Sequence, residues 1–230
     1  MYAKYIKRIF DFTLSLCGLI VLSPVLLVLT VLGAYKMKGN PFFTQPRPGK
    51  DGKIFNLIKF RSMTCEVDAE GNPLPDEVRL TRYGKLLRSS SLDELPELLN
   101  ILKGDMAIVG PRPLLVRDMV FMTPEQNRRH TVRQGLTGLA QVSGRNAISW
   151  DAKLDYDQEY VKNITFLEDL KILFRTVGKV FHREGISEEG VSTATDLGDY
   201  LLQAGRVTRE EYDAKQQEAK ALLNDFSKGR

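Results

Sequence analysis

Residues 12–35, FTLSLCGLIVLSPVLLVLTVLGAY, constrain this chain more than any other stretch. They run about 24 residues without a charge, about 36 Å as an α-helix, against a bilayer core of about 30 Å. A secretory signal does not fit, because the run is too long and no small-x-small cleavage site closes it. A buried core helix is the weaker alternative. Pro24 stands at the midpoint, behind Ser23. Proline removes one backbone hydrogen bond and collides with the carbonyl four residues back, here that of Ile20. The spacing therefore predicts a bend, with the Ser23 hydroxyl able to satisfy a freed backbone group. Cations flank both ends: Lys4, Lys7 and Arg8 before, and Lys36, Lys38, Arg47, Lys50 and Lys53 after. Positive charge is retained on the cytoplasmic side of a membrane, so both ends are drawn to one face. The expectation is a re-entrant helical hairpin over residues 1–38; a kinked single span stays open on these residues alone.

The net charge of +4 suits a polyanionic partner such as phospholipid or nucleotide. The basic residues are dispersed and no nucleic-acid motif occurs, so nucleic acid is not an expected partner. Two cysteines, Cys17 and Cys65, and two histidines, His130 and His182, argue against a disulfide framework and against a Cys/His metal site. The fold class read from the pattern is α+β and mostly helical: the membrane hairpin, then a small cytosolic domain with amphipathic interfacial helices.

PFFTQPRPGKDG, residues 41–52, reads as loop, and KIFNLIKFRSM, residues 53–63, as a short strand or hairpin. Residues 66–76 read as a surface loop. Helical spacing follows over residues 79–88, then in a stripe of Leu95, Leu98, Leu99 and Leu102 stopped by Gly104. MAIVG reads as a buried strand or turn and GPRPL as a rigid bend. Residues 114–130 read as helix broken near Thr123-Pro124, residues 132–145 as loops and short strands, and residues 150–163 as an aromatic-rich helix. FLEDLKILFRTVGKVF, residues 166–181, is amphipathic, with Lys171, Arg175 and Lys179 on its polar side; it suits a membrane interface or a core equally. Residues 187–196 read as a linker. Thr208-x-x-Glu211 is a capping box that opens a charged helix. Three regions result: 1–38, the hairpin; 39–185, the cytosolic domain; 186–230, linker and C-terminal helical hairpin.

SLDELPE, residues 91–97, sets Asp93 beside Glu94. Ser91-x-x-Glu94 fits a capping box, Asp93 suits the positive end of a helix dipole, and Pro96 is tolerable only near a helix start. A cap leaves the neighbouring cations unexplained. Lys59, Arg61, Arg88 and Arg112 each stand near a break in the pattern, where cations grip phosphate oxygens. Paired carboxylates among cations can hold Mg²⁺ bridged to substrate phosphate, and a carboxylate can itself attack phosphorus. Each cation taken singly also fits a solvated surface charge.

FTQPRPG, IKFRSM, RLTRYGKLLRSSSLDELPELLNILKGDMAIVGPRPLL, GLTGLAQVSGRN and DQEYVKNITFLEDLKIL follow the Ser23-Pro24 segment in order. Over roughly residues 1–185 the chain resembles the bacterial monotopic phosphoglycosyl transferases, with spacing and a YVKN segment most similar to the members that serve N-linked protein glycosylation. The pairing of LDELPELLN with GDMAIVGPRP carries most of the specificity. The resemblance implies a monotopic enzyme on the cytoplasmic face of a bacterial inner membrane. It implies transfer of a sugar 1-phosphate from a UDP-sugar to undecaprenyl phosphate with release of UMP, as the first membrane step of glycoconjugate assembly. It further implies Mg²⁺ as cofactor and a ping-pong route through a covalent phosphosugar intermediate. On these residues Asp93 would be the nucleophile, and Glu94 would help bind the metal or assist the prenyl phosphate. Lys59, Arg88, Arg112 and Arg145 would contact phosphate or uridine, and Asp157 would support the site. Gln134 and Ser143 depart from the family's usual proline and asparagine, which bears on the choice of sugar; an N-acetylated or diacetylated amino sugar is the expectation. LLQAGRVTREEYDAK resembles a short C-terminal helical motif often linked with oligomerisation, so a homo-oligomer is allowed for, and residues 186–230 are expected to be an appendage.

Two other readings use different residues. Asp155-Tyr156-Asp157 could serve a metal-dependent glycosyltransferase that releases UDP, although such a motif normally ends a strand and this one lies in a helical pattern. A basic membrane-anchored binding module would need no reaction at Asp93.

Overall fold

The apolar run breaks where Ser23 and Pro24 stand. In the computed structural model, which describes residues 1–72, 74–144, 148–182 and 195–229, α1 (Lys7–Val21) ends and α2 (Ser23–Lys36) begins across Leu22. The two are bent by 65°. The Ser23 hydroxyl donates to the Ile20 carbonyl at 2.7 Å, the group that proline strands. Among the described residues no single helix is long and apolar enough to cross a membrane.

The halves of the run differ. α1 turns a stripe at helical spacing inward: Asp11 and Ser15 are buried, and Leu19 and Leu22 pack on the core around Leu98 and Ile101. Asp11 accepts from the Ile108 amide at 3.0 Å. Arg8 donates to the carbonyls of Ile101 and Leu102 at 2.6 and 2.9 Å, closing the open end of α5 (Glu97–Lys103). So α1 is in part the core helix that the sequence favoured least. α2 is apolar on all sides. Leu29 is buried against Phe60 and Leu87, and Gly33 is needed because a Cβ there would come within 2.9 Å of Pro41. Leu27, Val28 and Val31 stay exposed.

β1 (Phe42–Pro48) and β2 (Ile54–Phe60) form an antiparallel pair with Phe42 opposite Phe60 and Pro46 opposite Asn56. The sequence marks 41–52 as loop because of its prolines. In a two-stranded ladder each strand keeps an open edge, where a missing N–H costs nothing. Phe55 and Leu57 are buried on one side of β2 and Phe60 on the other, in separate clusters.

α3 (Asp76–Arg79) and α4 (Arg82–Ser89) divide the stretch expected as one helix; Thr81 caps α4 by accepting from Gly84. After α5, Gly104 takes φ 97° and stops the helix as expected. β3 (Met106–Val109) pairs in parallel with β4 (Gln134–Thr137). Between them α6 (Val116–Met119) is a single turn, followed by a 3₁₀ segment, Gln126–Thr131. The broken helix expected over 114–130 is reduced to these two short pieces, with the break at Thr123-Pro124 as expected, where Thr123 and Gln126 cap each other. α7 (Leu139–Ser143) replaces part of the loop expected over 132–145.

α8 (Trp150–Lys162) and α9 (Phe166–His182) form as read. α9 has one face in the core and one apolar face outward: Ile172 is fully buried, while Phe166, Leu167, Phe174 and Val177 are exposed. Phe166 stacks edge-on with Tyr2 and Phe10 beside α1. Buried Asp169 ties the elements together, accepting from Tyr2 at 2.6 Å, Lys7 at 2.6 Å and Tyr160 at 2.7 Å.

α10 (Leu197–Gln203) and α11 (Arg209–Lys228) make the expected helical hairpin. The Thr208–Glu211 capping box closes in both directions. The hairpin is not a detached appendage. Leu197 and Leu201 are buried with Trp150 and Leu154, and Ala219 with Val116 and Val120. The expected linker lies, as far as residue 194, outside the described residues.

Candidate active site

The corner between α4 and α5 presents the carboxylate pair. Ser91 turns left-handed at φ 55° and its side chain caps nothing. Leu92–Glu94 then form a 3₁₀ turn, and Pro96 is the residue before α5. The capping box expected over Ser91–Glu94 therefore does not form, although proline at the helix start does. Glu94 is taken by long-range cations instead of the adjacent backbone. Its Oε1 accepts from Lys59 Nζ at 3.0 Å and from Arg112 Nη2 at 2.6 Å.

Lys59 is carried by β2, opposite Phe43. It lies between two carboxylates, since Glu97 Oε1 is 3.2 Å away. Arg112 comes from the loop after β3, where two chain segments meet backbone to backbone. Gly110 donates to Thr137 O at 2.9 Å, and Gly135 donates to Pro111 O at 2.8 Å. A Cβ on Gly110 would fall 2.5 Å from Arg133 O, and one on Gly135 2.1 Å from Gly110 N. Only glycine permits that approach, so the glycines of GPRP and GLTG fix where Arg112 stands.

Electrostatics separate the two neighbours. Burial raises the pKa of Glu94, but Arg112 and Lys59 together outweigh it and hold the carboxylate well below its usual range. Glu94 in turn raises Arg112. Burial raises Asp93, opposed by Lys59, Arg112 and Arg88 and reinforced by Glu94. Burial also pushes Glu97 up to about 7, with Lys59 opposing. Among the described residues Asp93 makes no side-chain hydrogen bond or ion pair. The site thus holds one clamped carboxylate and one uncommitted one.

The other expected residues divide. Arg88 bonds Ser62 at 3.0 Å and Met63 at 3.4 Å, and its charge reaches Asp93. Arg61 turns away, to the Phe42 carbonyl and to Cys65, each at 3.4 Å, and no bond joins it to the dyad. Asp157 does not touch the dyad either. It pairs with Arg129 at 2.8 Å, and Arg129 donates to the Arg112 carbonyl at 2.6 Å. Arg145 lies outside the described residues.

Sequence reasoning passed over three side chains. Glu97, itself buried, was hidden because its partner Lys59 is remote in sequence. Arg129, fully buried, had no local signal at all. Arg47, inside the FTQPRPG motif, was counted only as a flanking cation. It donates to Gln45 at 2.7 Å and to the Pro113 carbonyl at 3.4 Å, and burial and the Arg112 charge lower it to about 10.

Among the described residues no group of three or more His, Cys, Asp or Glu side chains is arranged around a metal position. The donor set fits an ion shared with substrate. Asp93 is uncommitted and Glu94 uses Oε1 for both of its cations, and Mg²⁺ commonly takes one or two carboxylates with phosphate and water completing its shell. Asp155 is exposed while Asp157 is buried on Arg129. Two positions apart on a helix they face different ways, so Asp155-Tyr156-Asp157 is not a joint metal site.

The chain is 51% identical over 197 residues to the uncharacterised sugar transferase EpsL of Bacillus subtilis, covering 84% of this chain and 98% of the relative. It is 37% identical over 203 residues to the undecaprenyl-phosphate galactose phosphotransferase of Salmonella typhimurium, covering 80% of this chain and 42% of that protein. It is 40% identical over 190 residues to the UDP-glucose:undecaprenyl-phosphate glucose-1-phosphate transferase of Klebsiella pneumoniae, covering 76% and 40%. With the bacterial sugar transferase model matching residues 2–183, the dyad and its cations included, the chain belongs to that family.

Proposed function

We propose that this protein transfers a sugar 1-phosphate from a UDP-sugar to undecaprenyl phosphate, releasing UMP. What carries the reading is the split dyad: Glu94 clamped by Lys59 and Arg112, Asp93 half-buried among the same cations with no partner among the described residues. A carboxylate left unbonded beside fixed cations is suited to attack phosphorus. An Asp93 oxygen attacks the phosphorus that bears the sugar. That O–P bond forms as the bridging P–O bond breaks, and UMP leaves with the bridging oxygen and its electron pair. A phosphate oxygen of undecaprenyl phosphate then attacks the same phosphorus, and the Asp93 carboxylate departs. Arg112, Lys59 and Arg88 offset the phosphate charge in both steps, the main electrostatic need of phosphoryl transfer. Mg²⁺, held by Asp93 and Glu94, would neutralise the diphosphate and orient it. Arg145 is proposed as a further phosphate or uridine contact.

The bent α1–α2 pair is proposed as a re-entrant hairpin in the cytoplasmic leaflet of a bacterial inner membrane. The 65° bend, the exposed apolar sides of α2 and α9, and the cations at both ends support it. The acceptor carries its phosphate at that surface, so hairpin and α9 would set the depth of the site. Cysteines placed at residues 4 and 38 of intact cells test this: labelling of one end alone from outside would show a span.

The YVKN segment supports an N-acetylated or diacetylated amino sugar for N-linked protein glycosylation, whereas the named relatives carry galactose and glucose in their names. A panel of these UDP-sugars, given to protein in nanodiscs with Mg²⁺ and undecaprenyl phosphate, names the donor. UMP release is expected, and Asp93→Asn should lower it about a thousandfold or more. Release of UDP, or an initial-rate pattern requiring both substrates bound together, would overturn the reading.

A further inference from the structure

The C-terminal helical pair lies beyond the residues that match the family, 2–183, yet it is built against the two elements that position Arg112. One is α6, which follows the Arg112-Pro113 loop within three residues. Its inner side chains Val116 and Val120 are buried with Ala219, Leu222 and Leu223 of α11. The other is α8, whose Trp150 and Leu154 pack with Leu197 and Leu201 of α10. Trp150 Nε1 donates to the Thr195 carbonyl at 2.9 Å. The same α8 carries Asp157, which holds Arg129 on the Arg112 carbonyl.

One side chain joins the two ends. Asp118 is 2% exposed. One of its oxygens accepts from the Leu115 amide at 3.0 Å, at the exit of the Arg112 loop; the other accepts from the Leu197 amide at 3.0 Å, at the entry to α10. Beside it, Arg117 pairs with Asp196. A buried carboxylate shared by two backbone donors is costly to disturb, because losing either bond strands a buried N–H. α6 alone is one turn and cannot hold its own position.

We propose that Asp118 is a positioning residue through which the C-terminal helical pair braces the Arg112 loop over the anion site; this rests on the reading of Arg112 as a phosphate contact. Incoming phosphate has to draw the Arg112 guanidinium from Glu94. A backbone held from Arg129 on one side and Asp118 on the other lets the side chain move while its root stays in place, which keeps the approach productive. The family match ends at residue 183, and this chain supplies the brace from the segment beyond it.

The test uses the full chain in nanodiscs, with UMP as the binding probe read by calorimetry and thermal melting as the control. Asp118→Asn removes one of the two acceptors. Gly198→Leu drives a wedge into the same contact, since even a Cβ there would lie 2.6 Å from the Phe121 ring. Each variant is made alone and in an Arg112→Lys background. Each alone should weaken UMP binding about tenfold, and by less than about twofold when Arg112 is already lysine. A purely structural role would lower the melting temperature and the active fraction while leaving the UMP affinity of the folded protein unchanged; that result, or the same factor in both backgrounds, overturns the proposal. Should Asp118→Asn fail to fold, the Gly198→Leu pair decides by the same comparison. If Arg112→Lys alone binds UMP as the parent does, the phosphate reading of Arg112 fails first, and the brace with it.

Discussion

Two helical pairs pack on the domain and turn opposite chemistry outward. The N-terminal pair settles through Arg8 and Asp11 together with Leu19, Leu22 and Leu29, and turns Leu27, Val28 and Val31 outward. The C-terminal pair settles through Leu197, Leu201 and Ala219 and turns its charges outward. In water the second arrangement is the rule. The first leaves a broad apolar surface that needs an apolar cover. What differs is the solvent each pair is made for, and the polar docking stripe of α1 explains how an otherwise apolar helix finds one orientation on the core.

The same kind of substitution should therefore have opposite consequences in the two pairs. Ala219→Arg forces a charge between Val116 and Val120 and should cost about 4 kcal/mol, seen as loss of protease protection of α11; an unchanged melt would mean that α11 is not packed as described. Leu27→Lys, near the bend of the N-terminal pair, should leave stability in detergent within about 0.5 kcal/mol. It should cost about 3 kcal/mol of membrane affinity, read by liposome flotation; undiminished flotation would remove the lipid-facing role of α2. Asp11→Ala leaves the Ile108 amide unpaired and should cost about 2 kcal/mol in chemical denaturation, more than any exposed leucine of the same helix.

The smallest effect at pH 7 belongs to the core between the pairs. Burial, helped by Arg129, lowers the pKa of His130 to about 3. A folded pKa below the unfolded one means that stability is in full above about 6.5 and is lost as pH falls toward 3. His130→Gln should change stability by under about 1 kcal/mol at pH 7 and flatten its decline across that window. A decline as steep as the parent's would place the acid sensitivity elsewhere.

Much of this was legible in the chain. The bend was read from Ser23-Pro24, and the freed Ile20 carbonyl was identified along with the hydroxyl that takes it. The capping box at Thr208 and the stop at Gly104 were equally local. For the site, Asp93, Glu94, Lys59 and Arg112 were picked from one motif pattern and do stand together. Arg61 was picked on the same grounds and turns away, because it stands one residue past the end of β2, where strand alternation no longer directs a side chain.

The sequence by itself determined what depends on a residue and its nearest four: helix starts and stops, the proline break, the glycine turns and the types of side chain offered to phosphate. Only the tertiary structure decided which face of α1 is buried, that 42–48 is a strand, and that Glu94 serves Lys59 and Arg112 rather than a cap. It also decided that Asp157 acts through Arg129, and that Asp118 meets a residue 79 positions away. The reason is physical. Local bonds compete only with solvent and with the next turn, so a short pattern reveals them. A buried ion pair or shared carboxylate forms only after distant segments have been brought together by burying their apolar surface, and no window of sequence contains both partners.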